Sequence, residues 1–150
     1  MALKKHPKVY LYRRIVQAKL YIDSHYTEDL VLSAIADEAH FSKFHFIRLF
    51  KKIFGKTPHQ YLTTVRIENA MRSLQADTPV SEVCYSVGFE SLTSFTVLFK
   101  RVVGLTPSLY RTQEQLKAAQ ILQAPLRFVP SCFAHKNGWT KKSNFEETVL

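Results

Sequence analysis

Arg48, Lys51 and Lys52 fall close together in the sequence, and Lys100 and Arg101 stand where Lys51 and Lys52 stand, 49 residues further on. Guanidinium and ammonium groups only donate hydrogen bonds. Such a cluster therefore answers to phosphate oxygens and, for a well-placed arginine, to the paired acceptors O6 and N7 of guanine. Lys4, Lys5, Lys141 and Lys142 read as ordinary solvated charges, but cations that recur in two copies ask for a shared acceptor. A formal net charge of +9 on 150 residues agrees with a polyanionic partner, either a nucleic acid or an anionic membrane surface. Charge alone does not choose between them.

Other chemistry has less behind it. His40, His45 and His59 lack cysteine or carboxylate partners at ligand spacing, so no metal and no cofactor is expected. Of the two cysteines, Cys84 falls on the apolar side of an expected helix and Cys132 reads as a half-buried thiol near the C-terminus. A bridge between them is not expected, and a reducing cytoplasm fits. No apolar run approaches the roughly 20 residues of a membrane span, and the N-terminus has no apolar signal core. A membrane-surface role would need one long basic amphipathic helix, whereas the basic faces here belong to short ones.

The elements that must position these cations are written twice. The stretch from Ile35 to Pro58, reaching Tyr61, reappears from Val83 to Pro107, reaching Tyr110. Phe41 matches Phe89 at an offset of 48, and Ser42 matches Ser91 at 49, so the second copy carries one extra turn residue, Glu90. Beyond the turn Phe46, Leu49–Phe50–Lys51, Gly55, Thr57–Pro58 and Tyr61 meet Phe95, Leu98–Phe99–Lys100, Gly104, Thr106–Pro107 and Tyr110. A repeat of this length is one supersecondary unit used twice.

Few glycines and strong 3.6-residue periodicity make the expected class all-α. Residues 1–12 form a basic lead-in punctuated by Pro7, and a first helix is expected over 13–24 with Ile15, Ala18 and Ile22 on one face. A short helix over 32–38 and a turn at His40–Phe41 follow. Ser42 then caps a third helix, which ends at Phe54 before Gly55. Its apolar face is Phe46, Leu49, Phe50 and Ile53. Opposite lie Phe44, Arg48 and Lys51, flanked by His45, Ile47 and Lys52. Thr57–Pro58 opens a helix over 58–75 whose apolar side switches partway, from Tyr61, Leu62 and Val65 to Ile67, Ala70, Met71 and Leu74. A helix facing one core would not do that; this one should bridge two. Val80, Val83, Cys84 and Val87 line a fifth helix, and Gly88–Glu90 turns. Ser91 caps a sixth helix to Val103 with Phe95, Leu98, Phe99 and Val102 inward, and Thr106–Pro107 opens a seventh that fades near Ala119. Residues 120–150 form an irregular appendage with a strand expected over 126–129, a turn at Asn137–Gly138 and aromatic anchors Trp139 and Phe145.

A short helix, a tight turn and a longer helix with a basic outer face is a helix-turn-helix unit, here present twice. At this point the chain resembles the AraC/XylS family of transcription regulators. The resemblance is carried by Tyr21–Tyr26, Ile35–Ala36, Phe41–Ser42, Phe46, Leu49–Lys51, Gly55–Pro58, Tyr61–Leu62 and Arg66. In the second half it rests on Gly88–Phe89, Ser91, Phe95, Phe99–Lys100, Gly104, Thr106–Pro107 and Tyr110–Arg111. It implies seven helices in two helix-turn-helix subdomains, about 13–57 and 78–119, joined by the linker helix 58–75. It also implies a small stand-alone regulator, with double-stranded DNA and RNA polymerase as partners. A monomer is expected, with dimerisation through the appendage as the alternative. Related modules occur in DNA-repair methyltransferases, but that chemistry needs a cysteine cluster, and no enzyme activity is expected.

Groove geometry then assigns roles. The linker helix spans roughly 27 Å at 1.5 Å per residue, of the order of the about 34 Å of one duplex turn, so one monomer could read two successive major grooves. Arg48 is expected to take guanine bidentately, Phe44 and Ile47 to touch thymine methyls, and Lys51 to reach a base edge or phosphate. Ser42, Lys43, His45 and Lys52 are backbone contacts, as are Ser91, Lys100 and Arg101 in the second copy. Leu92, Thr93, Thr96 and Val97 are the base-facing positions of the second reader. The resemblance implies polar groups at two of these, where this chain has Leu92 and Val97, so the second reader is expected to be the weaker. The competing expectation is a protein-interaction module that uses the aromatic tail and binds DNA only non-specifically.

Overall fold

Ser42 and Gly55 bracket one helix, Ser91 and Gly104 another, and the caps are alike. Each serine is extended, and its hydroxyl accepts the N–H of the residue three further on, His45 or Ser94, at 3.4 Å in both cases. Each glycine is left-handed, with φ of 73° and 87°, and returns its N–H to the carbonyl of Lys51 or Lys100. The computed structural model describes residues 7–30 and 42–124, with 127, 129, 130, 132 and 136 beyond them. Six helices run through these residues: α1 Pro7–His25, α2 Lys43–Phe54, α3 Pro58–Gln75, α4 Val80–Ser86, α5 Leu92–Val103 and α6 Pro107–Gln123. The all-α class is thus observed. The helix expected over 32–38, the turn at His40–Phe41 and the anchors Trp139 and Phe145 lie outside the described residues.

α3 sits between two cores. Ile15, Ala18 and Ile22 of α1, Phe46 and Phe50 of α2 and Leu62 of α3 form the first. Ile67, Ala70 and Leu74 of α3, Val83, Cys84 and Val87 around α4, Phe95 and Phe99 of α5 and Tyr110 of α6 form the second. From Leu62 to Ile67 the buried side turns by about 140° at roughly 100° per residue, the switch expected from the sequence. Val65, grouped there with Leu62, is half-buried and belongs to neither cluster. Full burial of each phenylalanine contributes about 1.5–3 kcal/mol, and the four form two matching pairs, with centroids 5.8 Å apart for Phe46–Phe50 and 5.6 Å for Phe95–Phe99. The start of α3 carries a reciprocal cap: Thr57 Oγ1 accepts the Gln60 N–H at 3.2 Å, and Gln60 Oε1 accepts the Thr57 N–H at 3.0 Å.

Several expectations need correction. α1 opens at Pro7, ahead of the expected start at Arg13. Val9, Tyr10, Tyr12 and Val16 are apolar yet face solvent, and this second apolar side blurs the one-sided periodicity that marks a helix. α6 continues to Gln123 instead of fading at Ala119, although 115–123 are all exposed; glutamines and alanines of good helix propensity extend it without packing. On α5 the inward rim is Val103, packed on the second core, whereas Val102 is 52% exposed. The strand over 126–129 falls largely outside the described residues, and Arg127 donates its N–H to the Ala124 carbonyl at 3.1 Å, which is a turn. Cys132 is exposed, not half-buried, while Cys84 is buried, and both are free thiols.

Candidate nucleic-acid interface

The outer face of α2 carries Phe44, 77% exposed, with Lys43, His45, Arg48, Lys51 and Lys52 all exposed around it and Ser42 exposed at its head. Ile47 is half-buried and packs against the first core, leaving only its edge for a ligand. Neither α2 nor α5 contains an aspartate or glutamate, and none of the ion pairs among the described residues involves Arg48, Lys51, Lys52, Lys100 or Arg101. The positive field of α2 is therefore not neutralised from within its own helix. Lys51–Lys52 and Lys100–Arg101 lie in the last turns, where the helix dipole also favours cations.

α5 presents the same frame with different side chains. Ser91, Thr93, Lys100 and Arg101 are exposed, Leu92 is 42% and Val97 52% exposed, and Thr96 is half-buried. Where α2 offers a guanidinium at Arg48, α5 offers the isopropyl group of Val97. The two faces share a cationic end and differ in the middle.

What lies behind these faces was only partly anticipated. Arg66, named above only as part of the resemblance, donates its Nε to the Tyr26 carbonyl at 2.7 Å and its terminal nitrogen to the Glu28 carbonyl at 2.9 Å. Its guanidinium also lies 5.6 Å from the centre of the Phe89 ring. Burial lowers the Arg66 pKa, opposed by Asp29 nearby, and the group stays a cation because the free value is so high. In the first half the Tyr61 hydroxyl donates to Asp23 Oδ1 at 2.7 Å, and the Lys19 ammonium donates to Asp23 Oδ2 at 2.6 Å. Burial and the Asp23 carboxylate push the Tyr61 hydroxyl above its ordinary pKa, and the hydrogen bonds to Asp23 and Tyr61 raise Lys19. In the second half Gln75 Nε2 donates to the Tyr110 hydroxyl at 2.9 Å.

The residues that could serve other chemistry are placed otherwise. Burial raises the Cys84 thiol, which keeps it protonated and a poor nucleophile. Among the described residues no group of three or more His, Cys, Asp or Glu could hold a metal ion, and no helix is long and apolar enough to cross a membrane.

A family model described as a helix-turn-helix domain matches residues 35–113. The chain is 36% identical over 98 residues to AdaA of Bacillus subtilis, a bifunctional transcriptional activator/DNA repair enzyme, covering 65% of this chain and 46% of that protein. It is 33% identical over 101 residues to the HTH-type transcriptional activator AarP of Providencia stuartii, covering 67% of this chain and 75% of AarP. Among solved structures, the DNA-binding domain of the global transcriptional factor AdpA in complex with a target DNA matches at a TM-score of 0.63 and 29% identity, over 74% of this chain and 96% of that one. A probable AraC family transcriptional regulator from Rhodopseudomonas palustris CGA009 shares the fold, with a TM-score of 0.62 at 20% identity over 68% of this chain and 97% of that one. The chain spans under half the length of several curated relatives, 46% of AdaA and 30% of the MmsAB operon regulatory protein of Pseudomonas aeruginosa. With duplicated, identically capped helices on a shared central helix, and with these similarities, the chain belongs to the AraC-type helix-turn-helix family of transcription regulators.

Proposed function

We propose that the protein is a sequence-specific regulator that lays α2 and α5 into successive major grooves on one face of duplex DNA. The observation that carries this reading is the duplication itself. Two helices with matching serine caps and matching inward phenylalanine pairs present carboxylate-free, cationic outer faces, and both pack on one 18-residue helix. That helix is roughly 27 Å long, against about 34 Å for a duplex turn. The same reading has the protein work as a monomer, since both readers belong to one chain.

In this reading the DNA-binding unit is 13–119, and the readers are unequal. Arg48 takes guanine, Phe44 and the edge of Ile47 lie against thymine methyls, and Lys51 reaches a base edge or phosphate. Leu92, Thr93, Thr96 and Val97 make the looser apolar contacts of the second groove. Ser42, Lys43, His45, Lys52, Ser91, Lys100 and Arg101 hold the backbone on both sides, which sets register without reading sequence. Selection of bound duplexes from a random pool by the full chain tests the arrangement. Two half-sites about one turn apart, the α2 half the more sharply defined, are the expected result. A single motif with no second half would reduce α5 to a backbone clamp and overturn the two-reader arrangement.

A further inference from the structure

The loop that leaves α1 belongs to the first half of the molecule, since Leu30 at its end packs on the first core. The same loop is pressed against the second half. A Cβ added to Gly88, in the turn between α4 and α5, would lie 2.7 Å from the Thr27 carbonyl oxygen and 3.0 Å from the Thr27 carbonyl carbon and Cα. Nothing but a hydrogen fits there, and the neighbour is backbone, which cannot swing aside as a side chain can. Tyr26, one residue earlier, packs against both cores. Arg66, midway along α3, holds the loop from beneath through the Tyr26 and Glu28 carbonyls, with Phe89 of the α4–α5 turn beside its guanidinium.

We infer that Gly88 and Arg66 are positioning residues that form a second joint between the two halves, fixing the angle of α5 relative to α2 and so the half-site spacing the protein accepts. α3 alone is a single rod, free to bend and to let either half pivot on its side chains; a second attachment off the rod removes that freedom. The joint is built before any DNA is bound, so the cost of orienting the second reader is met in folding and not in binding. The part concerning DNA spacing rests on the two-reader proposal above, whereas the rigidity of the free protein does not.

The glycines supply a matched control. Gly88 and Gly104 share φ of 87°, but a Cβ on Gly104 meets nothing within 4 Å. Gly104→Ala therefore carries the backbone strain alone, and Gly88→Ala carries the strain plus the collision with Thr27. Residual dipolar couplings of the free, full chain should fit one alignment tensor across α1–α2 and α4–α6 in the wild type and in Gly104→Ala, and two tensors in Gly88→Ala. Arg66→Lys, which loses the fork but keeps the charge, should move the same way and stands in if Gly88→Ala fails to fold. Binding to duplexes whose half-sites are stepped apart by single base pairs gives the second readout. Discrimination between the best spacing and its neighbours should fall by about tenfold in Gly88→Ala as the second contact loses its fixed geometry. Contact at an isolated α2 half-site should be unchanged.

A single tensor retained in both Gly88→Ala and Arg66→Lys overturns the joint. Two tensors in those variants, with no spacing preference in the wild type, keep the joint and overturn the two-groove reading instead.

Discussion

The ring of Tyr61 meets that of Phe50 edge-on at a centroid distance of 5.7 Å, and Tyr110 repeats the contact with Phe99 at 5.6 Å. The rings are equivalent, but the hydroxyls are not. Tyr61 donates to the Asp23 carboxylate, whereas Tyr110 pairs with the neutral amide of Gln75. Hydrogen bonds to charged groups contribute more than neutral ones. Tyr61→Phe is therefore expected to cost about 1–2 kcal/mol and Tyr110→Phe about 0.5–1 kcal/mol. Urea midpoints of the two variants check the ranking, and equal losses would show that the carboxylate adds nothing.

Asp77 closes α3 in left-handed backbone, φ 66°, with its own N–H returned to Leu74 and that of Thr78 to Ser73, the bonds of a C-terminal cap that glycine usually occupies. Its carboxylate receives Arg111, at 2.6 and 2.8 Å, and Gln115 of α6. The hydrogen bonds from Arg111 and Gln115 hold its pKa below the usual carboxylate range. A depressed carboxylate contributes stability that is present above its unfolded pKa and lost as pH falls through the folded one. Asp77→Asn should thus lower the melting temperature at neutral pH, with the gap to wild type closing below about pH 4. A gap independent of pH would mean that the side chain acts only through its backbone conformation.

What could be read in advance, and what could not, divides along physical lines. Ser42, Gly55, Thr57–Pro58, Ser91 and Gly104 mark helix ends through chemistry local to a few residues, and each boundary they imply is where the helix begins or stops. The two cores were legible because Leu62 and Ile67 sit on different sides of one helix. Val102 and Val103 are neighbours of the same type at the rim of α5, and periodicity cannot choose between them. The Arg66 clamp was hidden for a different reason: its partners are carbonyl groups, which every residue has. The left-handed conformation of Asp77 was not legible either, because aspartate is a weaker signal for it than glycine. Most of the positions proposed to face bases are exposed, and Ile47 and Thr96 are the ones that packing partly covers.

Arg101 is exposed in the last turn of α5, outside every ion pair among the described residues, in a position suited to a phosphate rather than a base. A phosphate contact releases a counterion whatever the sequence. Arg101→Ala should therefore weaken binding evenly across operators and reduce the slope of log K against log salt by about 1. Titrations at several salt concentrations on two unrelated sites measure both effects. A sequence-dependent loss with an unchanged slope would move Arg101 to the base edges.

Arg48 and Val97 hold the same place on the two readers, 49 residues apart, yet one can make two directed hydrogen bonds and the other none. Arg48→Ala should cost about 1–3 kcal/mol of binding and relax the preference at one position of one half-site. Val97→Ala removes only apolar contact and should cost clearly less, with little change in preference. Installing the missing group is the sharper comparison: Val97→Arg is expected to tighten binding to sites with guanine at the matching position of the second half and to leave other sites near their former affinity. Fluorescence anisotropy on a panel of singly substituted duplexes distinguishes these outcomes. If Val97→Ala proves the more damaging, the order of the two readers is reversed and α5, not α2, sets the specificity.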